Sequence, residues 1–351
     1  MATELSSRIT SGDAPSAPPR DPRRAPFGSV LAEEMSIAWF RDGAWSAARL
    51  EPTAALPIHP AAHALHYGST CFEGFKAYRR KDGGVHIFRL DRHIERLRQS
   101  ARQLVLPEPD AAQVADMVVS LVDRFRGQVP EAPGALYLRP VLFGTVPNIG
   151  AAGQPSSEAC LTVLASPVWD YFAGGMKGLR IAIELKPRTA PHLGMVKTGG
   201  NYAAALGPTL AARRDYQADQ VLFCPEGQVQ ETGAANFLLL REKRILTRGL
   251  DTTFLHGVTR DSLLRIGPDL GYAVEERVFD VEETLRWVSD GEAALSGTAA
   301  VLAGVGTLIH RGRDYRVGSG EVGPHTQRLR AALVAIQRGE SEDRYGWLTP
   351  V

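Results

Sequence analysis

A single lysine, Lys197, stands in the stretch APHLGMVKTGGNYAAAL (Ala190–Leu206), between apolar Met195-Val196 and the pair Gly199-Gly200. Lysine is scarce in this chain: Lys76, Lys81, Lys177, Lys186, Lys197 and Lys243 are the whole set, and arginine carries nearly all the basic charge. The other lysines occupy turn-like or strand-end contexts that suit a solvated amine. An amine in apolar surroundings has a depressed pKa and becomes a usable nucleophile toward a carbonyl. The glycines, Gly194 among them, let the backbone approach something bulky and flat. A plain loop lysine ahead of a small-residue helix would read the same way, so both readings stay open on this stretch alone.

Four further features could hold an anionic, aromatic group. Gly257-Val258-Thr259 opens a helix, and the free N–H groups and dipole of a helix start attract anions. Ser296-Gly297-Thr298-Ala299 follows a strand, a small-residue turn of the kind that binds phosphate or carboxylate. Arg96 lies among Arg92, Glu95 and Arg98, where a solvated helix face is the ordinary reading. Glu231 ends a strand ahead of Thr232-Gly233, a common place for a surface carboxylate. Taken singly, each fits a routine structural role.

The elements that position these residues come next. A chain of 351 residues exceeds what one core usually supports, so two domains are expected. With 44% hydrophobic and 23% charged residues it reads as an ordinary globular protein, and a net charge of +1 gives no case for nucleic acid or an acidic membrane. Cys71, Cys160 and Cys224 are too few and too scattered for a disulfide framework or a zinc site, and no metal is expected. No apolar run reaches membrane-spanning length and no signal-peptide core opens the chain, so a cytoplasmic enzyme is the expectation.

Residues 1–26, rich in Ser, Ala, Pro and Arg, read as a disordered arm. Met35–Trp45 reads as a hairpin turning at Asp42-Gly43, and VHIFRL as a later strand. The spacing of Leu90, Ile94, Leu97, Ala101 and Leu104 predicts a helix over Asp91–Leu106, and Ala111–Phe125 a second. Strands are expected at Ala135–Phe143 and Ala159–Ser166, closing a small domain over 27–168. A linker at 169–179 leads to a larger domain over 180–351. There the strand LRIAIEL precedes the Lys197 loop and its helix. Strands at Gln220–Cys224, Ala235–Leu240 and Arg244–Thr247 and a helix over Val258–Leu270 follow. VEERVF, Val281–Val288, Ala293–Ser296 and a helix over Pro324–Gln337 complete the series.

Seven segments occur in a familiar order: LHYGSTCFEGFKAYR, FRLDRHIERLRQSA, LYLRPVLFG, KTGGNY, QETGAANFLL, HGVTRDSLL and LSGTAAV. Together they make the chain resemble the fold type IV pyridoxal-phosphate aminotransferases, and most closely the branched-chain amino acid aminotransferases, from about Phe27 to Val351. The resemblance implies an α+β, two-domain enzyme, with a small α/β domain, a larger pseudo-barrel domain and pyridoxal 5′-phosphate between them. It implies that Lys197 forms the Schiff base and moves the proton between Cα and C4′. Glu231 then bonds the pyridine nitrogen and Tyr202 the phenolic oxygen. Arg96, Gly257, Val258, Thr259 and Thr298 hold the phosphate, and Leu255 packs on the ring. The substrate positions map to Tyr67, Phe72, Tyr137, Arg139 and Tyr171, with the Thr298-Ala299 amides toward the α-carboxylate. An apolar aromatic wall suits Leu, Ile and Val, while Arg139 and the tyrosine hydroxyls could receive the γ-carboxylate of glutamate. A homodimer acting on small amino acids and 2-oxo acids, with Tyr67 near the interface, is implied as well.

The chain departs from that family in three places. AAVLAGVG stands where mammalian-type members carry a CxxC pair, which argues against thiol regulation. Ala234-Ala235 stand where many relatives have a hydroxyl or a larger residue, and His256 where many have proline. The last two bear on substrate choice, and an aminotransferase of a specialised pathway stays open. HYGSTCFEG and YLRP disfavour a D-amino acid aminotransferase or an aminodeoxychorismate lyase. A catalytically silent binding dimer is disfavoured by Lys197, Glu231, Tyr202 and Arg96 standing together.

Overall fold

In the computed structural model, which describes residues 23, 25–53, 56–169 and 176–351, the expected hairpin turns on Asp42 and Gly43, with φ of 51° and 77°. Two consecutive positive φ values make a turn whose twist matches that of paired strands. It joins Glu34–Arg41 to Ala44–Trp45. These strands lie at one side of a nine-stranded antiparallel sheet. At its centre Ala135–Gly144 and Ala159–Val168 pair over ten residues each.

Alternation along Ala135–Gly144 splits the core in two. Leu136, Leu138 and Leu142 pack under the helices Leu90–Gln103 and Ala111–Arg124. Ala135 and Tyr137 face the other way, onto Leu238, Leu240, Ala294 and Leu329 of the second half. A strand covered on both faces reads as a nearly continuous apolar run, and in this one only Arg139 brings a charge. Four of the five residues expected on the buried face of the first helix, Leu90, Ile94, Leu97 and Ala101, are buried; Leu104 is half-buried at the C-cap.

The second sheet has eight strands, in the order Gln220–Phe223, Leu179–Glu184, Val301–His310, Glu292–Gly297, Asn236–Arg241, Arg244–Thr247 and Ala273–Glu276. Arg313–Arg316 pairs alongside Val301–His310. Three of the pairings are parallel and the rest antiparallel. Antiparallel and mixed sheets with helices packed on them make the architecture α+β. Val301–His310 lies in the middle of this sheet, yet no strand is expected there from the sequence. Its Gly304 and Gly306 lower strand propensity. Their purpose is close packing: a Cβ on Gly306 would sit 2.2 Å from the Gly320 carbonyl oxygen.

The end of the chain crosses back. Leu348–Pro350 pairs with Val85–Phe88 of the first sheet, because Trp347 buries edge-on against Phe88 with the Arg89 guanidinium over its ring. Of the expected linker 169–179, residues 170–175 lie outside the described residues, as does nearly all of the expected arm 1–26. All three cysteines are buried and free. Burial pushes the Cys160 thiol up to about 12 and the Cys71 and Cys224 thiols further still. Among the described residues no helix is long and apolar enough to cross a membrane.

Candidate active site

Lys197 belongs by sequence to the second half but is pinned by the first. Its amide donates to Ser100 Oγ (3.1 Å) and its carbonyl accepts from the Phe72 amide (3.0 Å). Asn201 Nδ2 closes the loop by donating to the Leu193 and Val196 carbonyls, each at 2.9 Å. The side chain of Lys197 is half-buried, and Nζ donates to Tyr202 Oη at 2.6 Å. Nζ also lies 5.1 Å from the centres of both the Phe72 and Tyr202 rings. One expectation needs correcting: Gly194 makes room for backbone, since a Cβ there would lie 2.0 Å from the Thr253 carbonyl carbon. Gly199 and Gly200 face open space.

Glu231 is a buried carboxylate, 3% exposed. Its Oε1 accepts from Arg188 Nη2 and from the Leu255 amide (2.9 Å), and its Oε2 from Asn236 Nδ2 (3.2 Å). Burial pushes its pKa up, and Arg188, the Leu255 amide, Lys197 and Arg96 offset that rise only in part. The ordinary reading of Glu231 as surface charge is therefore ruled out.

Arg96 is likewise no solvated residue. It is buried, with Nε and Nη2 donating to the two oxygens of Glu73 (2.6 and 2.8 Å) and Nη1 to the His256 carbonyl (3.0 Å). Such a two-bond grip fixes the guanidinium plane as a single bond cannot. His93 Nδ1 donates to Glu73 Oε2 at 2.7 Å, and burial holds the imidazole pKa below its ordinary value. His93, Arg96 and Ser100 recur at helical spacing beside the apolar face, a periodicity that flanking charges conceal. Glu73, Arg188 and Asn236, which hold Arg96 and Glu231 in place, are residues that sequence reasoning missed. Glu73 left a trace, a carboxylate in an otherwise apolar strand region; Arg188 left none.

Lys197, Tyr202, Glu231, Arg96 and Asn236 meet in one cavity of about 190 Å³, with Glu73, His93 and Arg188 outside its lining. Its lining includes Phe72, Arg96, Tyr137, Arg139, Lys197, Tyr202, Glu231, Leu255, Gly257, Val258, Thr259, Thr298 and Ala299. Phe27, Gly74, Ala234, Ala235, Asn236, Ser296 and Gly297 complete it. The helix Val258–Asp269 has Gly257 as its N-cap and no side-chain cap, so its first amides open on the cavity. Arg139 Nη2 donates to Tyr137 Oη (2.6 Å), and the guanidinium lies over the Phe72 ring at 4.7 Å. Chemically the cavity offers an amine beside a phenol, a buried carboxylate, and a cationic rim with open amides.

Tyr67 is not part of this lining. It ends the short helix His63–Tyr67, 36% exposed, with its hydroxyl donating to the Ile149 carbonyl. Tyr171 lies outside the described residues. His256, adjacent in sequence, turns its ring away to the Asp251 carbonyl (2.7 Å) and meets the site only through its own carbonyl on Arg96. Ala234 lines the cavity directly.

A family model described as amino-transferase class IV matches residues 70–306. The chain belongs to the class IV aminotransferase family. It is 38% identical over 334 residues to a probable branched-chain-amino-acid aminotransferase of Streptomyces coelicolor, covering 92% of this chain and 91% of the relative. It is 36% identical over 341 residues to the branched-chain-amino-acid aminotransferase of Mycobacterium tuberculosis, covering 93% and 92%. Among solved structures, the T.th. branched-chain amino acid aminotransferase with pyridoxamine 5′-phosphate aligns with a TM-score of 0.75 at 27% identity, over 91% of this chain and 99% of that one. The branched-chain aminotransferase of Thermoproteus uzoniensis with norvaline aligns with a TM-score of 0.74 at 28% identity, over 90% and 99%. The two-sheet α+β architecture is thus that of the fold type IV aminotransferases, and the chain is a transaminase by family.

Proposed function

We propose that this chain is a pyridoxal-phosphate-dependent aminotransferase that moves the amino group of L-leucine, L-isoleucine or L-valine to 2-oxoglutarate by a ping-pong reaction. One observation carries the reading: Lys197 Nζ, 2.6 Å from Tyr202 Oη, shares a cavity with Glu231, Arg96 and the open start of the helix Val258–Asp269. The residues fit the cofactor. Ser296 Oγ and Arg139 Nε are buried without a hydrogen-bond partner among the described residues, and both side chains belong to the cavity wall. A bound group with hydrogen-bonding atoms can satisfy such unmatched polar atoms.

Lys197 Nζ would be the amine that anchors the cofactor through its aldehyde carbon, and Tyr202 Oη, 2.6 Å from Nζ, would hold the phenolic oxygen beside it. Glu231 keeps the pyridine nitrogen protonated. Arg96, the amides of Val258 and Thr259, the Thr259 hydroxyl and Thr298 hold the phosphate at the positive end of the helix. Gly257 opens that cap, and Leu255 covers the ring. When bound, the cofactor supplies the electron sink for the pair left on the substrate Cα. Lys197 Nζ moves the proton between that Cα and C4′. Phe72, Tyr137 and Tyr171 bound the side chain, joined in the assembled enzyme by Tyr67. The amides of Thr298 and Ala299 take the α-carboxylate, and Arg139 the γ-carboxylate of glutamate. We divide the chain into domains over 27–168 and 180–351, with the last strand returning to the first sheet. A homodimer is part of this reading, supported by Leu65 and Ile149, 64% and 70% exposed, beside Tyr67.

The test is the visible absorption of the protein loaded with pyridoxal phosphate. L-leucine and L-glutamate are each expected to remove the cofactor band, and D-alanine to leave it. No uptake of cofactor would refute the reading. A second reading, donors with longer side chains, is favoured by one observation: a cavity of about 340 Å³ adjoins the first through Ala234, Ala235, Gly297, Thr298 and Ala299. A response to glutamate but not leucine would select it.

Gly257→Ala tests the cradle. A Cβ there would lie 1.9 Å from Asn236 Oδ1, and Asn236 anchors both Glu231 and the Leu255 carbonyl (2.8 Å). Displacing that amide loses a buried hydrogen bond or two, at roughly 1 kcal/mol each. Cofactor titration of the apoprotein is expected to show binding weakened about tenfold, with little change in far-ultraviolet circular dichroism.

A further inference from the structure

We propose that Arg188 is a positioning residue that keeps Glu231 ionised and correctly aimed, acting only through that carboxylate. Arg188 is buried, donates through Nη2 to Glu231 Oε1 and through Nη1 to the Gly233 carbonyl (3.2 Å), and is absent from the cavity lining. It therefore holds the carboxylate and the loop before Ala234 from behind. Among the described residues the charged groups facing Glu231 are Arg188, Lys197 and Arg96, and of these only Arg188 is hydrogen-bonded to it. Arg96 is committed to Glu73, and Lys197 Nζ to Tyr202. A carboxylate this deeply buried takes up a proton unless a cation is in contact with it. Once neutral, Glu231 could no longer hold a positive charge on a ring nitrogen opposite. The inference rests on the reading of Glu231 as the partner of the cofactor nitrogen.

The experiment compares reconstituted wild-type enzyme with Arg188→Met, Arg188→Lys, Glu231→Gln and the Arg188→Met/Glu231→Gln double variant. Three quantities are read: kcat against pH, the cofactor dissociation constant, and the pH at which the visible band changes. Removing a contacting cation raises the proton affinity of a carboxyl by about ten- to thousandfold. Arg188→Met is therefore expected to lose up to that factor in kcat near neutral pH and to recover as pH rises and Glu231 ionises. The visible band should show the same pH dependence. Arg188→Lys should restore most of the activity. The double variant should match Glu231→Gln within about twofold, because a residue acting through Glu231 has nothing left to act on. A pH-independent loss, or single-variant losses that multiply in the double, overturns the proposal. Should Arg188→Met fail to fold, Arg188→Lys and the double variant, which buries no lone charge, decide it. Wild-type protein that takes up no pyridoxal phosphate overturns the functional reading and this role together. Competent wild-type beside an unaffected Arg188→Met overturns the role of Arg188 alone.

Discussion

Lys197→Ala is expected to lower turnover of L-leucine with 2-oxoglutarate by at least about 10⁴-fold, the scale of losing a nucleophile that also serves as acid and base. No other amine can stand in. Lys76, which is buried, is engaged with the Ala299 carbonyl at 3.0 Å on the strand Phe75–Arg79. The loss should come without unfolding, since the contacts that pin position 197, to Ser100 Oγ and from the Phe72 amide, use main-chain atoms that alanine keeps. Steady-state assays beside a thermal melt separate the two effects: activity falls, the midpoint stays within a few degrees, and cofactor remains bound without a covalent link. A variant with wild-type turnover would end the aminotransferase reading of this cavity.

Glu73→Ala carries the largest expected cost in stability. Glu73 is fully buried and accepts two bonds from Arg96 and one from His93. Removing it leaves the Arg96 guanidinium buried without its counter-charge, which costs about 3–5 kcal/mol. For a chain this large that corresponds to a fall in melting midpoint of roughly 5–10 °C. Arg96 should also lose its orientation, so cofactor affinity falls with it. The pH dependence has a definite sign. Arg96 and His93 hold the Glu73 carboxyl far below the ordinary carboxylate range, against the opposing effect of burial. A depressed folded pKa contributes stability that is present above the unfolded value, about 4.3, and is lost as pH falls below it. Wild type is therefore expected to lose stability in acid faster than Glu73→Gln, with melts at neutral pH and near pH 3 as the check. Equal slopes would mean that the triad does not couple to protonation.

Much of the framework could be read directly from residue order. The Asp42-Gly43 turn, the amphipathic helix from Leu90 and the helix Pro324–Gln337 follow from local chemistry: positive φ, helical periodicity, and proline at a helix start. Lys197 and Tyr202 are five residues apart, and their bond needs only the helix start between them. Gly257-Val258-Thr259 announces a helix N-terminus on its own. For these features cause and effect lie within a turn or two of each other along the chain.

Tertiary structure decided what depends on pairing distant segments. Whether Arg96 was surface charge or buried cation turned on Glu73, which lies outside the helix of Arg96, between two strands of the first sheet. Whether Glu231 was exposed turned on Arg188, 43 residues earlier in a loop with no local pattern. The strand Val301–His310 was hidden by glycines whose purpose appears only where Gly306 meets Gly320 and Gly178. Tyr67 and Ala234 sit in equally recognisable motifs, yet only Ala234 reaches the cavity. In all four the deciding contact joins segments far apart in the chain. Periodicity and capping are short-range and leave a mark in the sequence. Burial of a charge, by contrast, is decided by its counter-charge, and the fold brings that partner from a place in the chain that no spacing rule identifies.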